Sequence, residues 1–455
     1  MPYRIGTDIG GTCTDTSVMD DDGRISVGKA LSTYPNQAQG IFDSLADAID
    51  DVPVESVEEL LAETELFIHA TTIGENALFE KDGAETGLIT TQGFEETLHQ
   101  TRGGYGRRAG LSYVDVKDPL HTERPEPLVD RDMVEGVIER SYHDNTLIPP
   151  DEDAIKGAVD SLVSKGAESI ACCFLWSHMN PGHEEQVAEL IREEYPDLYV
   201  TVSNDVAPYE GEYERTSTAA INSYLGPTTQ QYLDRLETEL DGRGFEGTML
   251  LMFSHGGLVP REAAVEKPVG LSESGPVSGV IGSAHLGEYT DSNRIISADM
   301  GGTTFKLGLI NDGTIEYADE PTVGRYHYKF AKRDVHSIAV AGGSHVWLEE
   351  ETNVPRVGPD SAGSDPGPVC YGQGGETPTV TDVDLIQGYF SPEYFLGGDY
   401  DMAPKKARRI FEEQIADPLG KGVEEAAADI YRLTNSKIAD LLREVTIEKG
   451  IDPRE

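Results

Sequence analysis

The sequence predicts an α/β protein with two or three domains, and three observations support this prediction. A length of 455 residues exceeds what one hydrophobic core usually supports. Segments with the pattern of strands alternate with segments that have the pattern of helices, as in the α/β class. One five-residue pattern also occurs once in each half of the chain. We therefore expect a first domain over residues 1–198 and a second over residues 199–455.

The amino terminus has the pattern of a strand meander. Residues 3–9 alternate between apolar and polar side chains, as a half-buried strand does, and Gly10-Gly11 follows as a turn. Two further strands are predicted over residues 15–19 and 24–30. The elements predicted next are a helix over 36–51, a buried strand over 66–70, a helix around 77–81 and a strand over 87–90.

The alternation of strands and helices continues to the end of the chain. A helix is predicted from residue 151, followed by a buried strand over residues 169–175. Residues 360–379 are dense in glycine, proline and serine, which predicts a loop long enough to have a functional role. The remaining predicted elements are helices over 212–225 and 229–240, strands over 248–253 and 294–298, and a helical tail over 421–450.

The charge balance excludes one class of partner. The chain has 82 acidic and 36 basic residues and a net charge of -46 at pH 7. This charge would repel a phosphate backbone and no basic patch offsets it, so nucleic acid is not expected as a partner. The acidic residues are spread along the chain, as in proteins from salt-loving organisms, where salt screens the self-repulsion. We therefore expect a halophilic source and a fold that needs salt.

The sequence has no feature of a membrane or secreted protein. No apolar run approaches the roughly 20 residues that span a bilayer. Residues 1–10 lack the basic start and the apolar stretch of a signal peptide. The four cysteines show no CxxC spacing, which suits a reduced compartment. We expect a cytoplasmic protein without a membrane partner.

The repeated pattern is Asp8-Ile9-Gly10-Gly11-Thr12 and, in the second half, Asp299-Met300-Gly301-Gly302-Thr303. The two glycines let the backbone approach a ligand and point N–H groups into the turn, which forms an anion-binding concavity. The threonine hydroxyl adds a donor. The aspartate is placed to hold a hydrated Mg²⁺ or to orient a hydroxyl against a terminal phosphate. Two such hairpins facing each other would clamp a polyphosphate from both sides.

Ordinary turn chemistry explains either copy alone, because Gly-Gly is common in tight β-hairpins. The duplication, with matching strand context, favours phosphate binding. Other nucleotide motifs are missing from the sequence, since it has no GxxxxGK[ST] run. The nearest dinucleotide-like string, at residues 104–109, follows a polar stretch and is predicted as a loop. His183-Glu184-Glu185 is predicted to begin a solvated helix.

The two hairpins resemble the phosphate-1 and phosphate-2 elements of the actin, hexokinase and Hsp70 superfamily. The surrounding sequence resembles one branch of it, the hydantoinase A/5-oxoprolinase/acetone carboxylase β family, over nearly the whole chain. The similar strings are His69-Ala70-Thr71-Thr72-Ile73-Gly74-Glu75-Asn76-Ala77, Gly87-Leu88-Ile89-Thr90-Thr91-Gln92-Gly93-Phe94, Ser254-His255-Gly256-Gly257-Leu258, Ser274-Gly275-Pro276 and Val357-Gly358-Pro359-Asp360-Ser361-Ala362-Gly363-Ser364-Asp365-Pro366-Gly367-Pro368.

The resemblance implies a fold and a set of site residues. The fold is the actin/hexokinase/Hsp70-like (ribonuclease H-like) split ATPase fold, with two lobes around a nucleotide cleft. ATP and Mg²⁺ are the implied cofactors, and Asp8 and Asp299 would serve the metal ion and the transferred phosphoryl group. The implied nucleotide-binding residues are Gly10, Gly11, Thr12, Cys13, Thr14, Gly301, Gly302, Thr303, Thr304, Gly342 and Gly343. The candidates for the substrate cleft are Thr71, Thr72, Asn76, His255, Ser274 and Gly275.

Structural roles remain open for several of these candidates. A threonine-rich helix cap explains Thr71 and Thr72 equally well, and close helix packing explains Gly275. For His255 and His336 we favour structural roles, because a lone histidine near glycine-rich turns is commonly just hydrogen-bonded.

Members of this family use ATP to phosphorylate a carbonyl or enol oxygen, and a partner subunit or domain completes the reaction. The resemblance therefore implies a hydantoinase/5-oxoprolinase-type subunit that phosphorylates the carbonyl oxygen of a cyclic amide. A hydantoinase B-like partner in a hetero-oligomer is implied as well. The alternative is a β-like subunit of an ATP-dependent ketone carboxylase of the acetone/acetophenone type. The sequence of residues 102–111 is somewhat more similar to this carboxylase branch than to the oxoprolinase branch. A second alternative is a non-catalytic nucleotide-binding assembly module.

Two departures from the family pattern limit what the resemblance implies. Phe305 and Lys306 stand where the family usually has threonine and aspartate, as in Thr14-Asp15 of the first copy. A cation therefore replaces an acid near the phosphates, or it points away from the site. The family also normally continues beyond a stretch like residues 448–455 into a glycine-rich adenosine-binding segment. We expect a C-terminally truncated chain: a fragment, a split gene or a protein that recruits the remainder from another chain.

Overall fold

The computed structural model describes residues 2–33, 36–111, 116–117, 124–395, 401–452 and 454. Strands and helices alternate through it, which confirms the predicted α/β class. Among the described residues, no helix is both long enough and apolar enough to cross a membrane.

The strands, in chain order, are β1 Tyr3–Ile9, β2 Cys13–Met19, β3 Ile25–Leu31, β4 Thr64–Thr71, β5 Thr86–Thr91, β6 Val134–Val137, β7 Arg140–Ser141, β8 Thr146–Ile148, β9 Ser169–Cys173, β10 Tyr199–Val202, β11 Thr248–Met252, β12 Leu258–Pro260, β13 Ile295–Met300, β14 Phe305–Asn311, β15 Thr314–Ile315, β16 Thr322–Val323, β17 Tyr326–His327, β18 Val335–Ile338, β19 Ser344–Leu348 and β20 Pro355–Ser361.

The described α-helices are α1 Gln37–Ala48, α2 Val57–Ala62, α3 Ile73–Glu80, α4 Thr97–Gln100, α5 Gly104–Arg108, α6 Glu152–Ser164, α7 Gly182–Glu194, α8 Ser203–Val206, α9 Glu212–Gly242, α10 Arg261–Glu266, α11 Ser274–Tyr289, α12 Val380–Gln387, α13 Pro404–Phe411, α14 Asp417–Leu419 and α15 Val423–Glu448.

The first sheet begins with the predicted meander. Strands β1, β2 and β3 pair antiparallel in sequence order. On the other side of β1 lie the parallel strands β4 and β11, and then the antiparallel β12. The register pairs Ile9 at the end of β1 with Thr71 at the end of β4. The carboxyl ends of these two central strands therefore lie side by side at the same end of the sheet, next to the turn that follows β1.

The second sheet consists of β10, β9, β5 and β6, which are all parallel. All five residues of β9 are buried, as expected of a parallel strand covered on both faces. Strand β10 joins this sheet and β11 joins the first, although both follow residue 198. Strands from both sides of the predicted boundary thus share sheets, and the two-domain division stays a prediction.

The third sheet contains the second predicted hairpin, formed by β13 and β14. Strands β15 and β18 pair with β14 on its far side. No described strand pairs with the other edge of β13, and Ile296 and Met300 of this strand are exposed. The hairpin therefore lies at a free edge of its sheet, whereas the first hairpin lies in the middle of one.

Helix α9 is continuous over 31 residues, so the prediction of two helices separated near Pro227 was wrong. A proline inside a helix removes one hydrogen bond and costs about 3 kcal/mol. Burial offsets this cost, because Ala219 and Ala220 pack into the core beside the second sheet while Leu233 and Leu236 pack into the core of the first. Each fully buried leucine contributes about 1.5–3 kcal/mol. The helix thereby joins the two sheets.

Two local predictions also differ from the structure. Gly104–Arg108 forms a short helix and not a loop. The helix at 182–194 begins where predicted, but His183 and Glu184 are buried and not solvated. The Glu184 carboxylate accepts the N–H groups of Phe174 at 2.8 Å and Asn204 at 2.9 Å. Buried backbone donors need a partner, and this acid supplies one.

Candidate active site

Both copies of the repeated pattern form the turn of an antiparallel hairpin, and both turns close in the same way. In the first, the N–H of Gly10 donates to the carbonyl of Cys13 at 2.9 Å. In the second, the N–H of Gly301 donates to the carbonyl of Thr304 at 3.2 Å. The sequence repeat therefore extends to the hydrogen bond that shapes each turn.

The two turns lie directly against each other. A methyl group built on Gly11 would lie 3.6 Å from the hydroxyl oxygen of Thr303. A methyl group built on Gly302 would collide with the side chain of Thr12. Residues almost 300 positions apart thus form one crevice, and glycine at position 302 is required for the close approach.

The loop after β3 supports the first turn. Ser32 donates its N–H to the carbonyl of Thr12 at 2.9 Å and its hydroxyl to the carbonyl of Gly10 at 2.7 Å. These bonds occupy carbonyl groups that would repel an anion. They also fix the orientation of the peptide groups in the turn, so that its donors are preorganised.

Backbone groups from a later segment support the second turn. The N–H of Gly342 donates to the carbonyl of Gly301 at 3.1 Å, and the N–H of Gly343 donates to the carbonyl of Gly302 at 2.6 Å. A methyl group built on Gly343 would lie 2.7 Å from the Gly302 carbonyl oxygen. The structure therefore brings Gly342 and Gly343 to the site as supports of the second turn.

The donors of the two turns remain available. Within the described part of the chain, no hydrogen bond uses the N–H groups of Gly11, Thr12, Gly302 or Thr303. The hydroxyl oxygen of Thr12 is buried and also has no partner among the described residues. Since buried polar groups are nearly always paired, this hydroxyl and the free N–H groups fit the oxygens of a polyphosphate.

Asp8, at the carboxyl end of β1, has a buried carboxylate whose Oδ1 makes no hydrogen bond to any described residue. Burial raises the pKa of Asp8 to about 6, and the nearby charge of Lys306 opposes this rise. The start of helix α11 lies beside the same carboxylate, because a methyl group built on Gly275 would lie 2.6 Å from Oδ1. Asp299, its counterpart in the second hairpin, is exposed.

The residues of the site fit a hydrated metal ion better than a protein-enclosed one. Among the described residues, no cluster of three or more His, Cys, Asp or Glu side chains is arranged to hold a metal ion. The unpaired oxygen of Asp8 would supply one hard ligand. Mg²⁺ keeps several waters and is bound through one or two carboxylates plus phosphates, so this donor set fits it.

The cross-strand pairs of the two hairpins differ in charge. In the first hairpin Asp8 lies opposite Asp15, which pairs with Lys29 of the next strand at 2.5 Å. In the second hairpin Asp299 lies opposite Lys306. Directly opposite residues of antiparallel strands share a face of the sheet. Gly308, on the same face of β14 as Lys306, packs on Val280 of α11, so this face is turned towards the helix that begins beside Asp8.

A buried charge network, which no sequence pattern indicated, lies beneath Asp8. The carboxylate of Glu75 accepts the N–H of Glu273, and the carboxylate of Glu273 pairs with Lys332. Burial raises the pKa of Glu75, and the charges of Lys306 and Lys332 oppose this rise. Burial also lowers the pKa of Lys332 to about 8. Glu273 has a left-handed backbone with φ of 59° immediately before α11. The network therefore fixes how α11 begins beside Asp8.

Several substrate-cleft candidates lie together at the carboxyl ends of β1 and β4. The hydroxyl of Ser274 bonds both the N–H and the carbonyl of Thr71, each at 3.2 Å. The hydroxyl of Thr72 donates to the carbonyl of Ile9 at 3.0 Å, and the amide of Asn76 donates to the Thr72 hydroxyl at 3.3 Å. These side chains join α3 to β1 and α11 to β4, so they act as supports of the first turn.

Two other candidates lie elsewhere. The hydroxyl of Thr14 is buried behind the first turn and bonds Ser32 Oγ at 3.2 Å. His255 Nδ1 accepts the N–H of Gly257 at 2.9 Å, and its ring packs on Phe253 and Phe330. None of these described contacts of His255 involves a turn of the site. The structure therefore does not bring the side chains of Thr14 and His255 into the crevice.

Two family models match the chain. The model of the hydantoinase/oxoprolinase N-terminal region matches residues 4–195, and the hydantoinase/oxoprolinase model matches residues 215–455. Caprolactamase subunit alpha of Pseudomonas jessenii is 35% identical over an alignment that covers 100% of this chain and 64% of that protein. Acetophenone carboxylase gamma subunit of Aromatoleum aromaticum is 32% identical, with 99% of this chain and 62% of that protein covered.

Two solved structures are similar along the whole chain. A nucleotide-free structure of acetone carboxylase, 32% identical, superposes with a TM-score of 0.89 and covers 99% of this chain and 64% of that one. The crystal structure of ATP-dependent caprolactamase from Pseudomonas jessenii, 34% identical, superposes with a TM-score of 0.80 over the same shares. The chain thus spans less than two thirds of the length of these relatives.

Proposed function

The chain belongs to the hydantoinase/oxoprolinase family, and we propose that it uses ATP to phosphorylate the carbonyl oxygen of a cyclic amide. Its relatives include an ATP-dependent caprolactamase and 5-oxoprolinases of Arabidopsis thaliana and Saccharomyces cerevisiae. Because the chain spans only part of their length, the activity is proposed for the complex that it forms with a hydantoinase B-like partner subunit.

The observation that supports this proposal most directly is the contact between the two glycine turns. Gly302 packs on Thr12, and Gly11 faces Thr303, so that free N–H groups from both hairpins border one crevice. A polyphosphate in this crevice would be bound from two sides. The split ATPase fold of actin, hexokinase and Hsp70 is part of the proposal, with one hairpin in each lobe.

Each group of the site has a role in phosphoryl transfer. The N–H groups of the turns bind phosphate oxygens, and Asp8 and Asp299 hold Mg²⁺. When bound, Mg²⁺ would neutralise phosphate charge and help to orient the terminal phosphoryl group. The substrate carbonyl oxygen forms a bond to the terminal phosphorus while the bond to the ADP oxygen breaks and ADP leaves. Water then attacks the activated carbonyl carbon, and the ring C–N bond breaks as the nitrogen takes up a proton and leaves. Hydrolysis of the resulting acyl phosphate yields the carboxylate and releases phosphate, and we assign these steps to the partner subunit.

A ketone carboxylase subunit is the second candidate, and the TM-score of 0.89 to acetone carboxylase favours it. The chemistry of this chain would be the same, because an enolate oxygen replaces the amide oxygen as the phosphoryl acceptor. The two candidates differ only in the substrate and in what the partner subunit does next.

ATP turnover with the partner subunit tests the proposal. We expect stimulation by 5-oxoproline, hydantoin or caprolactam, whereas stimulation only by acetone with bicarbonate would favour the carboxylase. Asp8→Asn is expected to reduce turnover by a factor of about 100 or more, because the carboxylate orients the reacting groups. Asp51→Asn, at an exposed position away from the site, is the matched control. If the complex binds Mg-ATP but none of these substrates stimulates its turnover, the alternative of a non-catalytic nucleotide-binding assembly module is favoured.

A further inference from the structure

Lys306 differs from the other cations near the site because its side chain pairs with no acidic residue that the structure describes. Lys29 pairs with Asp15, and Lys332 pairs with Glu273. Within the described ranges, the side chain of Lys306 makes no ion pair and no hydrogen bond. An unpaired cation is unexpected in a chain with 82 acidic and 36 basic residues.

The register of the second hairpin sets the direction of Lys306. It lies opposite Asp299 on β13 and opposite Ser337 on β18. Its side chain therefore shares a face of the sheet with Asp299, the first residue of the repeated pattern. The Lys306 side chain is half-buried, so it is not extended into open solvent.

Helix α11 and two acids on other elements lie on the side of the second hairpin that carries Lys306. Asp8 comes from β1 and Glu75 from the first turn of α3. Gly308 lies two residues along β14 from Lys306 and on the same face, and it packs on Val280 of α11, the helix that begins beside Asp8. The positive charge of Lys306 also opposes the rise in the pKa of both carboxylates. Lys306 therefore lies on the face of the second hairpin that is turned towards α11 and Asp8.

We propose that Lys306 binds the terminal phosphate of the nucleotide, as the cation that the second hairpin presents to the transferred group. This inference rests on the proposed function and adds a residue to it. The first hairpin presents an acid, Asp15, at the equivalent position, so the two halves of the site have opposite roles. An unpaired ammonium binds developing negative charge without first breaking an ion pair, and such preorganised donors contribute most in phosphoryl transfer.

The test compares the affinities of the Lys306→Met variant for two nucleotides. Isothermal titration of the complex with Mg-ATP and Mg-ADP, at one fixed salt concentration, gives both dissociation constants. We expect Lys306→Met to weaken Mg-ATP binding by about tenfold or more, the loss of one charge-assisted hydrogen bond. Mg-ADP binding is expected to change by less than about threefold, because ADP lacks the phosphate that Lys306 contacts.

Two further variants separate charge from structure. Lys306→Arg keeps the charge and is expected to recover most of the Mg-ATP affinity. Lys156→Met, which removes a lysine paired with Glu152 and Glu194 on the surface, is expected to leave both affinities unchanged. The melting temperature of each variant shows whether the fold is kept.

Each remaining outcome decides against the proposal. Equal weakening of Mg-ATP and Mg-ADP, or no recovery by arginine, would mean that Lys306 supports the crevice and does not contact the terminal phosphate. Unchanged Mg-ATP binding by Lys306→Met, with normal binding by the wild type, would overturn the role of Lys306 alone. Absence of Mg-ATP binding by the wild-type complex would overturn the proposed function together with this inference.

Discussion

The Gly275→Ala substitution tests how closely helix α11 must approach Asp8. The added methyl group would lie 2.6 Å from Oδ1 and 3.0 Å from Cγ of Asp8. Ordinary contacts between non-bonded atoms are about 3.5 Å, so the carboxylate or the helix has to move by about 1 Å. A displacement of about 1 Å at a reacting group costs about 100-fold in rate, which corresponds to about 2.7 kcal/mol. We therefore expect ATP turnover to fall by about two orders of magnitude.

The stability of this variant is expected to change little, because alanine has a helix propensity about 1 kcal/mol better than glycine. Gly279→Ala, on the same helix, is the matched control, because a methyl group built on Gly279 would meet no neighbouring atom within 4 Å. The assay measures kcat for substrate-stimulated ATP hydrolysis with the partner subunit, together with the melting temperature. Equal turnover by the two variants would refute the argument that the contact at Asp8 limits the reaction.

Three further predictions concern stability. Burial lowers the pKa of His69 to about 3, whereas an unfolded histidine titrates near 6.5. Only the unfolded chain binds the proton as the pH falls from about 6.5, so about 2 kcal/mol of stability is lost between pH 7 and 5. Urea unfolding at both pH values should show this loss, and a loss of the same size in His69→Gln would contradict it. The Asp382 carboxylate accepts the buried N–H groups of Val369, Cys370 and Thr379. Asp382→Ala should therefore destabilise the fold by about 3 kcal/mol or more in urea unfolding, and a smaller loss would mean that water replaces the carboxylate. Raising the salt concentration from about 0.2 to 2 M should raise the melting temperature, because salt screens the net charge of -46. A melting temperature independent of salt would contradict the halophilic interpretation.

The sequence predicted the parts of the site that depend on local information. Asp-x-Gly-Gly-Thr between two apolar strands specifies a hairpin, and the structure shows both hairpins with the same closing hydrogen bond. The role of glycine at position 302 was predicted from the repeated pattern, because glycine allows close approach of the backbone. Its partner, Thr12, emerged only from the packing of the two turns.

The parts that were missed depend on long-range packing. Glu75, Glu273 and Lys332 are far apart in the sequence, and each one alone has the appearance of a surface residue. Their burial beneath Asp8 follows from how α3 and α11 meet at the ends of β1 and β4. The one local signal was an acid at position 75 within a threonine-rich segment.

The error at Pro227 has a different cause. A proline lowers the stability of an isolated helix, so a local rule predicts a break. The structure keeps the helix intact because residues on both sides of the proline are buried in two different cores. The outcome was decided by tertiary contacts that the local pattern does not contain.

The free edge of β13 has a consequence for handling the protein. Exposed backbone donors and acceptors along a strand are a template on which another chain can add a strand, and Ile296 and Met300 add apolar surface there. At low ionic strength the mutual repulsion of highly acidic copies keeps such edges apart. Salt, which we expect to stabilise each molecule, also weakens this repulsion, so the conditions predicted to favour folding are also those in which self-association increases.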